Sequence, residues 1–414
     1  MGDPIRLQIA DDLRRSRLAV FFRLLLAIPH FFWLGLWSFA ALLAAVANFL
    51  ATLVAGRAPL FFHRFLSAYV RYTTHLIAYV VLAANPFPGF TGEPGSYPID
   101  VEIDPPERQN RWITGFRLIL ALPALLLAHS LLGFGAAFGG TRFGLYGGVV
   151  ATVALLGWFA SLARAEMPRG LRDLAAFSLG YAAQLDGYLL LLTDRYPNSD
   201  PAAHVHDAAP PHPVALTSEV DLRRSRLTVF FRLLLAIPHF VWLLAWGIAA
   251  VFAIVANWFA TLFSGRSPRP LYRFLSAYVR YQTHVYAFLS LVANPFPGFT
   301  GKPKSYPVHV EIGPPERQKR SVTGLRLLLG IPAFLVAGAL SSVLDVVGLL
   351  GWFAALVTGR MPRGLHRLGS FVLRYSAQAL AYGYLITDRY PYSGPSASAE
   401  SSSSDSTQRM QATG

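Results

Sequence analysis

The residues able to do chemistry in this chain stand inside apolar runs. The segment VFFRLLLAIPHF occurs letter for letter at 20–31 and 229–240, placing Arg23 and His30, then Arg232 and His239, among leucines and phenylalanines. Each pair is seven residues apart, so both members share one helical face. A second motif, FLSAYVRYTTHL, puts Arg71 one turn before His75 and recurs with Arg280 and His284. A later copy keeps Arg374 and has Gln378 in place of the histidine. Asn48 lies eight residues before Gly56, and Arg71 seven after Arg64. In a helical hairpin they sit at similar depth, where an amide oxygen could accept from a guanidinium and lower the cost of burying it. Asn257 and Arg280 repeat the spacing. Ionisable groups inside a membrane are candidate sites by default. The candidate lipid- or anion-binding set is therefore Arg71, Arg280, Arg374, Asn48, Asn257, His75 and His284. The competing reading is that these arginines snorkel to the headgroups.

The elements that must position these groups follow from composition and repeats. Of 414 residues, 54% are hydrophobic and 14% charged, against about 25% charged in soluble chains. Runs such as Phe31–Val54 and Phe240–Phe263 match the roughly 20 residues needed to cross a bilayer. The segment Arg17–Pro29, about 20 Å of helix, is too short to span. It is expected to lie in the interface, with Arg23, His30, Arg232 and His239 as interfacial anchors and Pro29 bending the chain into the span; the alternative is a kinked N-terminal extension of one long tilted span.

Aligning 11–92 with 220–301 gives 56 identities in 82 positions, so the chain is a duplication. Each half is an older duplication: an offset of 94 aligns Arg232 with Arg326 and Pro238 with Pro332. Short segments at 4–9, 98–103, 213–218 and 307–312 open the four units, and three of them alternate as half-buried strands do. The expected fold is an all-α polytopic membrane protein. It has about eight transmembrane helices in four hairpin units, each preceded by an Arg/Pro interfacial helix and a short strand. With two spans per unit every strand falls on one side, where the four could meet in one small surface sheet. Inverted repeats are disfavoured by the same argument. The halves are 1–197 and 213–394, joined by a Pro/Ala-rich linker at 198–212, with a Ser-rich disordered tail at 395–414. The Lys/Arg balance favours both termini in the cytoplasm.

The net charge of +14 is expected to face anionic lipid headgroups, since no nucleic-acid recognition motif accompanies it. A membrane protein partner is the other candidate. There are no cysteines, which removes disulfides and thiol chemistry. No nucleotide-binding, zincin or hydrolase motif is present, and no carboxylate pair recurs across units. Asp186 and Asp345 stand alone in apolar runs, and His204, His206 and His212 form only a loose cluster in the linker. No cofactor or metal is assigned, and the chain reads as non-catalytic. The alternative is a transporter or lipid translocator using arginine-lined hairpins.

The string RxxVFFRLLLAIPHF…GRxPRxLxRF…RY…TDRYP resembles a prokaryotic membrane family catalogued as domain of unknown function 4389. It is carried here by Arg226, Arg232, Pro238, His239, Gly265-Arg266, Pro268, Arg280-Tyr281 and the Asp-Arg-Tyr-Pro ends at 194–197 and 388–391. The resemblance covers nearly the whole chain outside linker and tail. It implies an actinobacterial-type integral membrane protein and transfers no activity or catalytic residue. Unit two departs most, with Glu166 in its loop and Gly180 in place of the arginine.

Overall fold

The computed structural model describes residues 3–133, 148–205, 209–219 and 221–395. His206, most of the 129–148 insertion and the tail beyond residue 395 lie outside the described residues. The chain forms two compact units, one running to Ala209 and taking in Gly394, the other Pro210–Ser393. The first contains β1 (Ile5–Ile9), α1 (Arg17–Ala55), α2 (Leu60–Val80), β2 (Ile99–Ile103), α3 (Arg111–Gly115), α4 (Arg117–Leu120), α5 (Leu122–Leu132), α6 (Val149–Arg164) and α7 (Arg169–Leu189). The second contains β3 (Val214–Ser218), α8 (Arg226–Phe230), α9 (Arg232–Ser264), α10 (Arg269–Leu289), β4 (Val308–Ile312), α11 (Arg320–Gly324), α12 (Arg326–Thr358) and α13 (Arg363–Gly383).

Each hairpin turns where the sequence supplies the chemistry. α1 ends at Gly56, whose φ of 70° and N–H bond to Thr52 O make a left-handed cap. Gly265 and Gly359 do the same for α9 and α12. A proline then opens each second helix at 59, 168, 268 and 362. Pro29 does not divide α1, which runs unbroken for 39 residues. In the other units the helix breaks ahead of the arginine, at Phe116, Phe231 and Leu325, and in unit two it breaks again at Ala121, just before Pro123. In units one, three and four the arginine and the proline thus share one helix, and only in unit two is the segment before the proline separate. Both sides of Pro29 pack against the same neighbour, through Arg23 and His30, and this holds the helix together across one lost hydrogen bond.

Within each half the units are mates. Arg15 N–H donates to Ala165 O and Met167 N–H to Leu13 O, both at 2.8 Å, while Gln109 N–H donates to Gly56 O at 2.9 Å. The entry of each unit therefore docks on the hairpin loop of the other. The two loops of a half lie at opposite ends of α1, about 58 Å apart along a helix of that length. This is an inverted arrangement, contrary to the expectation. The strands follow it: β1 pairs antiparallel with β2, centred on Leu7↔Val101, and β3 with β4, centred on Leu216↔Val310. Among the described residues they make two two-stranded ribbons, not one four-stranded sheet. A ribbon needs no further strands because its apolar face is already covered. Ile5 and Val101 pack with Ala41, Leu66, Val70 and Ala183, and Val214 and Val310 with Ala250, Leu275, Val279 and Ala377.

Each half thus has three layers. The first helices (α1 with α3–α6; α8, α9, α11 and α12) lie on one side, the second helices in the middle, and the ribbon on the other side. α2 is exposed only at 60, 61 and 64, whereas α1 is exposed on all sides but one stripe, Val20, Arg23, Ala27, His30, Ala41, Asn48 and Thr52. By length and composition α1, α9 and α12 could each cross a membrane, and α5 and α6 are shorter apolar helices. Three long apolar helices suggest a multi-pass membrane protein and leave its topology open. Among the described residues three helices, where eight were expected, have the length and composition to cross, because the second helices carry the polar residues.

Candidate functional site

The second helices use their polar residues to hold the ribbons. Arg71 Nε donates to Val101 O at 2.9 Å and Arg280 Nε to Val310 O at 3.1 Å. In the mate units Gln184 Nε2 donates to Ile5 O and Gln378 Nε2 to Val214 O, both at 3.0 Å. His75 Nε2 lies 2.7 Å from Asp100 Oδ1. The aspartate also accepts from the N–H groups of Gly95 and Val101. Burial alone would raise the Asp100 carboxyl, but these three donors outweigh it and hold it below the usual carboxylate range. In the second half His309 stands where Asp100 does. His284 there has no carboxylate: burial first, then the charges of His309 and Arg280, push it down to about 4. Arg374 lies over Phe371, 5.3 Å from the ring centre.

The first helices supply a second set of polar contacts, one per unit. Arg23 Nη1 donates to Tyr79 O at 2.6 Å and Ala84 O at 2.9 Å, and its Nη2 to Asn85 Oδ1 at 3.2 Å. Arg232 meets Phe288 O, Ala293 O and Asn294 Oδ1 in the same way. Arg117 meets Tyr188 O, Thr193 O and Gln109 Oε1; Arg326 meets Thr387 O, Gln318 Oε1 and Asp388 Oδ1. All four are 2% exposed and lie over Tyr79, Tyr188, Phe288 or Tyr382 at 4.1–4.5 Å. The last carbonyls of a helix lack intrahelical partners and carry its negative dipole end. Arg23, Arg117 and Arg232 cap the neighbouring helix through a last-turn carbonyl, while Arg326 holds Thr387 O and Asp388 just beyond α13; Arg23 and Arg232 are thus buried there and not anchored among headgroups. Their companions are His30 and His239, both fully buried, 3.0 Å from Tyr72 Oη and 2.7 Å from Tyr281 Oη and stacked on Phe90 and Phe299.

Just past each second helix a leucine takes the left-handed conformation: Leu82, Leu191, Leu291 and Leu385, with φ between 58° and 63°. Such a residue costs about 1–2 kcal/mol. Its carbonyl turns into the cap, where Leu82 O accepts twice from Arg15 and Leu291 O twice from Arg224. Gln109 and Gln318 take that role for Leu191 and Leu385. Asn48 and Asn257 do not meet Arg71 and Arg280. Each donates across to the end of the mate unit's second helix, Leu190 O and Tyr384 O, at 3.0 Å. The sequence reading missed Arg15, Arg117, Arg224, Asp100 and the two glutamines. The 94-residue offset that pairs Arg232 with Arg326 also pairs Arg23 with Arg117, and was the available signal.

Exposed arginines gather around the docked loops, and Lys302 and Lys304 are exposed in the loop before β4. In the first half Arg14, Arg17 and Arg164 are exposed at one end, and Arg57, Arg108 and Arg111 at the other. Arg57 and Arg108 are backbone neighbours across a β-bridge, as are Arg223 and Arg360. At the first of these ends Asp12, Arg14, Arg15, Ser16, Asn85, Arg164 and Glu166 line an open polar cleft of about 670 Å³. Among the described residues no group of three His, Asp or Glu gathers that could hold a metal ion.

The model of a family described as "Domain of unknown function (DUF4389)" matches residues 17–91, 140–199, 226–300 and 320–393. These four stretches cover more than half of the chain, one in each repeated unit, and the chain belongs to this family. No curated protein and no solved structure matches it.

Proposed function

We propose that this member of the family is a non-catalytic module of the cell membrane that binds anionic lipid headgroups through the basic rims of its two halves. The observation that carries this reading is the placement of exposed arginines at both ends of an apolar helix layer, as with Arg17 and Arg164 opposite Arg57 and Arg111. Each such cation near an anionic surface contributes about 1 kcal/mol. Arg71, Arg280, His75 and the two asparagines, the earlier candidates, serve the fold instead. For the same reason a translocation path along them is the weaker reading. A membrane protein partner would bind the same rims or the ribbons.

Native mass spectrometry of protein released gently from its own membrane tests the proposal. Anionic lipid should be retained by the protein and by R280K, and clearly less of it by R266Q/R269Q/R317Q/R320Q, which neutralises four exposed arginines of one rim of the second half. Lipid retained without regard to headgroup charge, or equally by both variants, would refute it. A lipid-free protein with a co-purifying chain would favour the partner.

A further inference from the structure

We infer that each half lies flat in a single leaflet. Its first-helix layer sits among the acyl chains, its second helices lie at headgroup depth, and its ribbon is in water. This rests on the membrane reading above and not on which lipid is bound.

The argument begins at the ribbon. Arg71, the twelfth of the 21 residues of α2, bonds the middle of β2, so the ribbon crosses α2 at half its length. If α2 stood upright through a bilayer, β1 and β2 would lie at the bilayer centre. Among the described residues both outer edges of that ribbon lack a strand partner. Its outer face carries Arg6 and Glu102, whose side chains are 41% and 51% exposed. Open sheet edges and exposed loops do not occur in lipid-facing hydrocarbon. Laying the half flat removes the conflict, because the apolar layer and the ribbon are on opposite sides of the second helices.

Charge and thickness agree. Upright hairpins would send the two loops of a half to opposite faces of the membrane. Yet Arg57, Arg108 and Arg111 at one end match Arg14, Arg17 and Arg164 at the other, where a spanning protein keeps its excess of Lys and Arg on one side. Flat, both rims meet the same headgroup layer. A single helix layer is about 10 Å thick, within the roughly 15 Å that one leaflet offers as half of the hydrocarbon. At about 58 Å, α1 is nearly twice the length needed to cross, but it has no length limit in the plane.

The chain has no cysteine, so single cysteines report cleanly. In the second half Ser264→Cys and Thr358→Cys mark the two ends and Ser305→Cys the ribbon side, all at exposed positions. Ala55→Cys, Ala163→Cys and Ser96→Cys do so in the first. In sealed vesicles of one orientation, an impermeant maleimide should label all three positions of a half from the same side. Labelling of the two ends from opposite sides, or protection of Ser305→Cys and Ser96→Cys, would overturn the inference. A second measurement needs no variant. Quenching of the native tryptophans should be strong with bromines high on the acyl chain and weak with bromines at the chain ends; uniform quenching through the depth would also overturn it. Neither readout depends on headgroup charge, so loss of anionic lipid selectivity would sink the proposed function and leave this inference standing.

Discussion

α9 and α10 are the two arms of one hairpin, and they reverse the order found in water-soluble proteins. The more apolar arm is outside: Phe252 and Phe263 of α9 are 73% and 74% exposed. The arm with Arg280, His284 and five tyrosines or threonines to either side is the buried one. α1 and α2 differ in the same way. The lesson is that hydropathy alone misidentifies the centre of this molecule. An apolar helix exposed on most of its surface suits lipid as its neighbour, and the polar helix is inside with groups such as Arg280 matched to Val310 O. Each match ties it to something specific, whether a ribbon carbonyl, a ring or a guanidinium. Outer-arm changes should therefore act on membrane association, and inner-arm or cap changes on folding.

The largest expected effect on folding lies at the cap that joins the two arms. Arg232→Ala takes a charged donor from Phe288 O, Ala293 O and Asn294 Oδ1 in a closed site, and of these Phe288 O keeps the N–H of Leu291. A loss of about 2–3 kcal/mol is expected, read as a marked fall of thermal stability in detergent. Arg226, exposed at the helix start, should cost under about 1 kcal/mol on the same change. Equal losses would mean that the caps do not hold the arms together. Next comes Phe252→Asp on the outer arm. A carboxylate there should cost about 3 kcal/mol in membrane insertion while leaving the melting of detergent-solubilised protein within about 0.5 kcal/mol. A fold that fails in detergent would show that protein, not lipid, covers this face.

Smaller differences separate the inner arms of the two halves. Asp100 is held below the usual carboxylate range, so its pairing with His75 stabilises the first half above that range and is lost only as pH falls through the lowered value. His284, facing His309 and Arg280, is held neutral down to about 4. The unfolded second half takes up that proton near the ordinary histidine value, about 6.5, so it loses stability as pH falls from there toward 4. Hydrogen exchange followed half by half should show the second half loosening first over that window. His309→Asp supplies the missing carboxylate and should add about 1–2 kcal/mol, moving the acid loss of the second half down to that of the first. An unchanged pH profile would mean that His284 is solvated.

Much of this organisation was legible in the sequence. The four units, the hairpins and their glycine and proline turns follow from repeat offsets and local rules, because they rest on backbone conformation. The partners of Arg23, Arg71 and Asn48 were not legible. Each reaches an atom 30 to 142 residues away, and most of those atoms are backbone carbonyls, which every residue carries and no motif marks. Depth along a hairpin placed Asn48 and Arg71 together, but Asn48 faces the mate unit. The inverted pairing was lost for a related reason. Strand pairing between mates is set by the layer beneath the ribbon, and topology counted span by span does not see that layer.

The smallest effect tests how the inner arm is covered. The loop after α2 turns at Gly95, φ 71°, and the loop after α10 turns at Lys304, φ 56°, the same position one duplication later. A side chain in this left-handed region costs about 1–2 kcal/mol, while glycine loses roughly 0.5–1 kcal/mol more entropy on ordering. Lys304→Gly should therefore raise the stability of the second half by a few tenths to about 1 kcal/mol, seen as a small rise in its melting temperature. Gly95→Lys should lower that of the first half by a similar amount, since a Cβ there meets nothing within 4 Å. If Gly95→Lys costs several times more, the glycine does more than turn the chain. Its N–H donates to Asp100, and a tilt of that one peptide would loosen the carboxylate from His75. The ribbon's hold on the inner arm would then depend on the loop as well as on the helix.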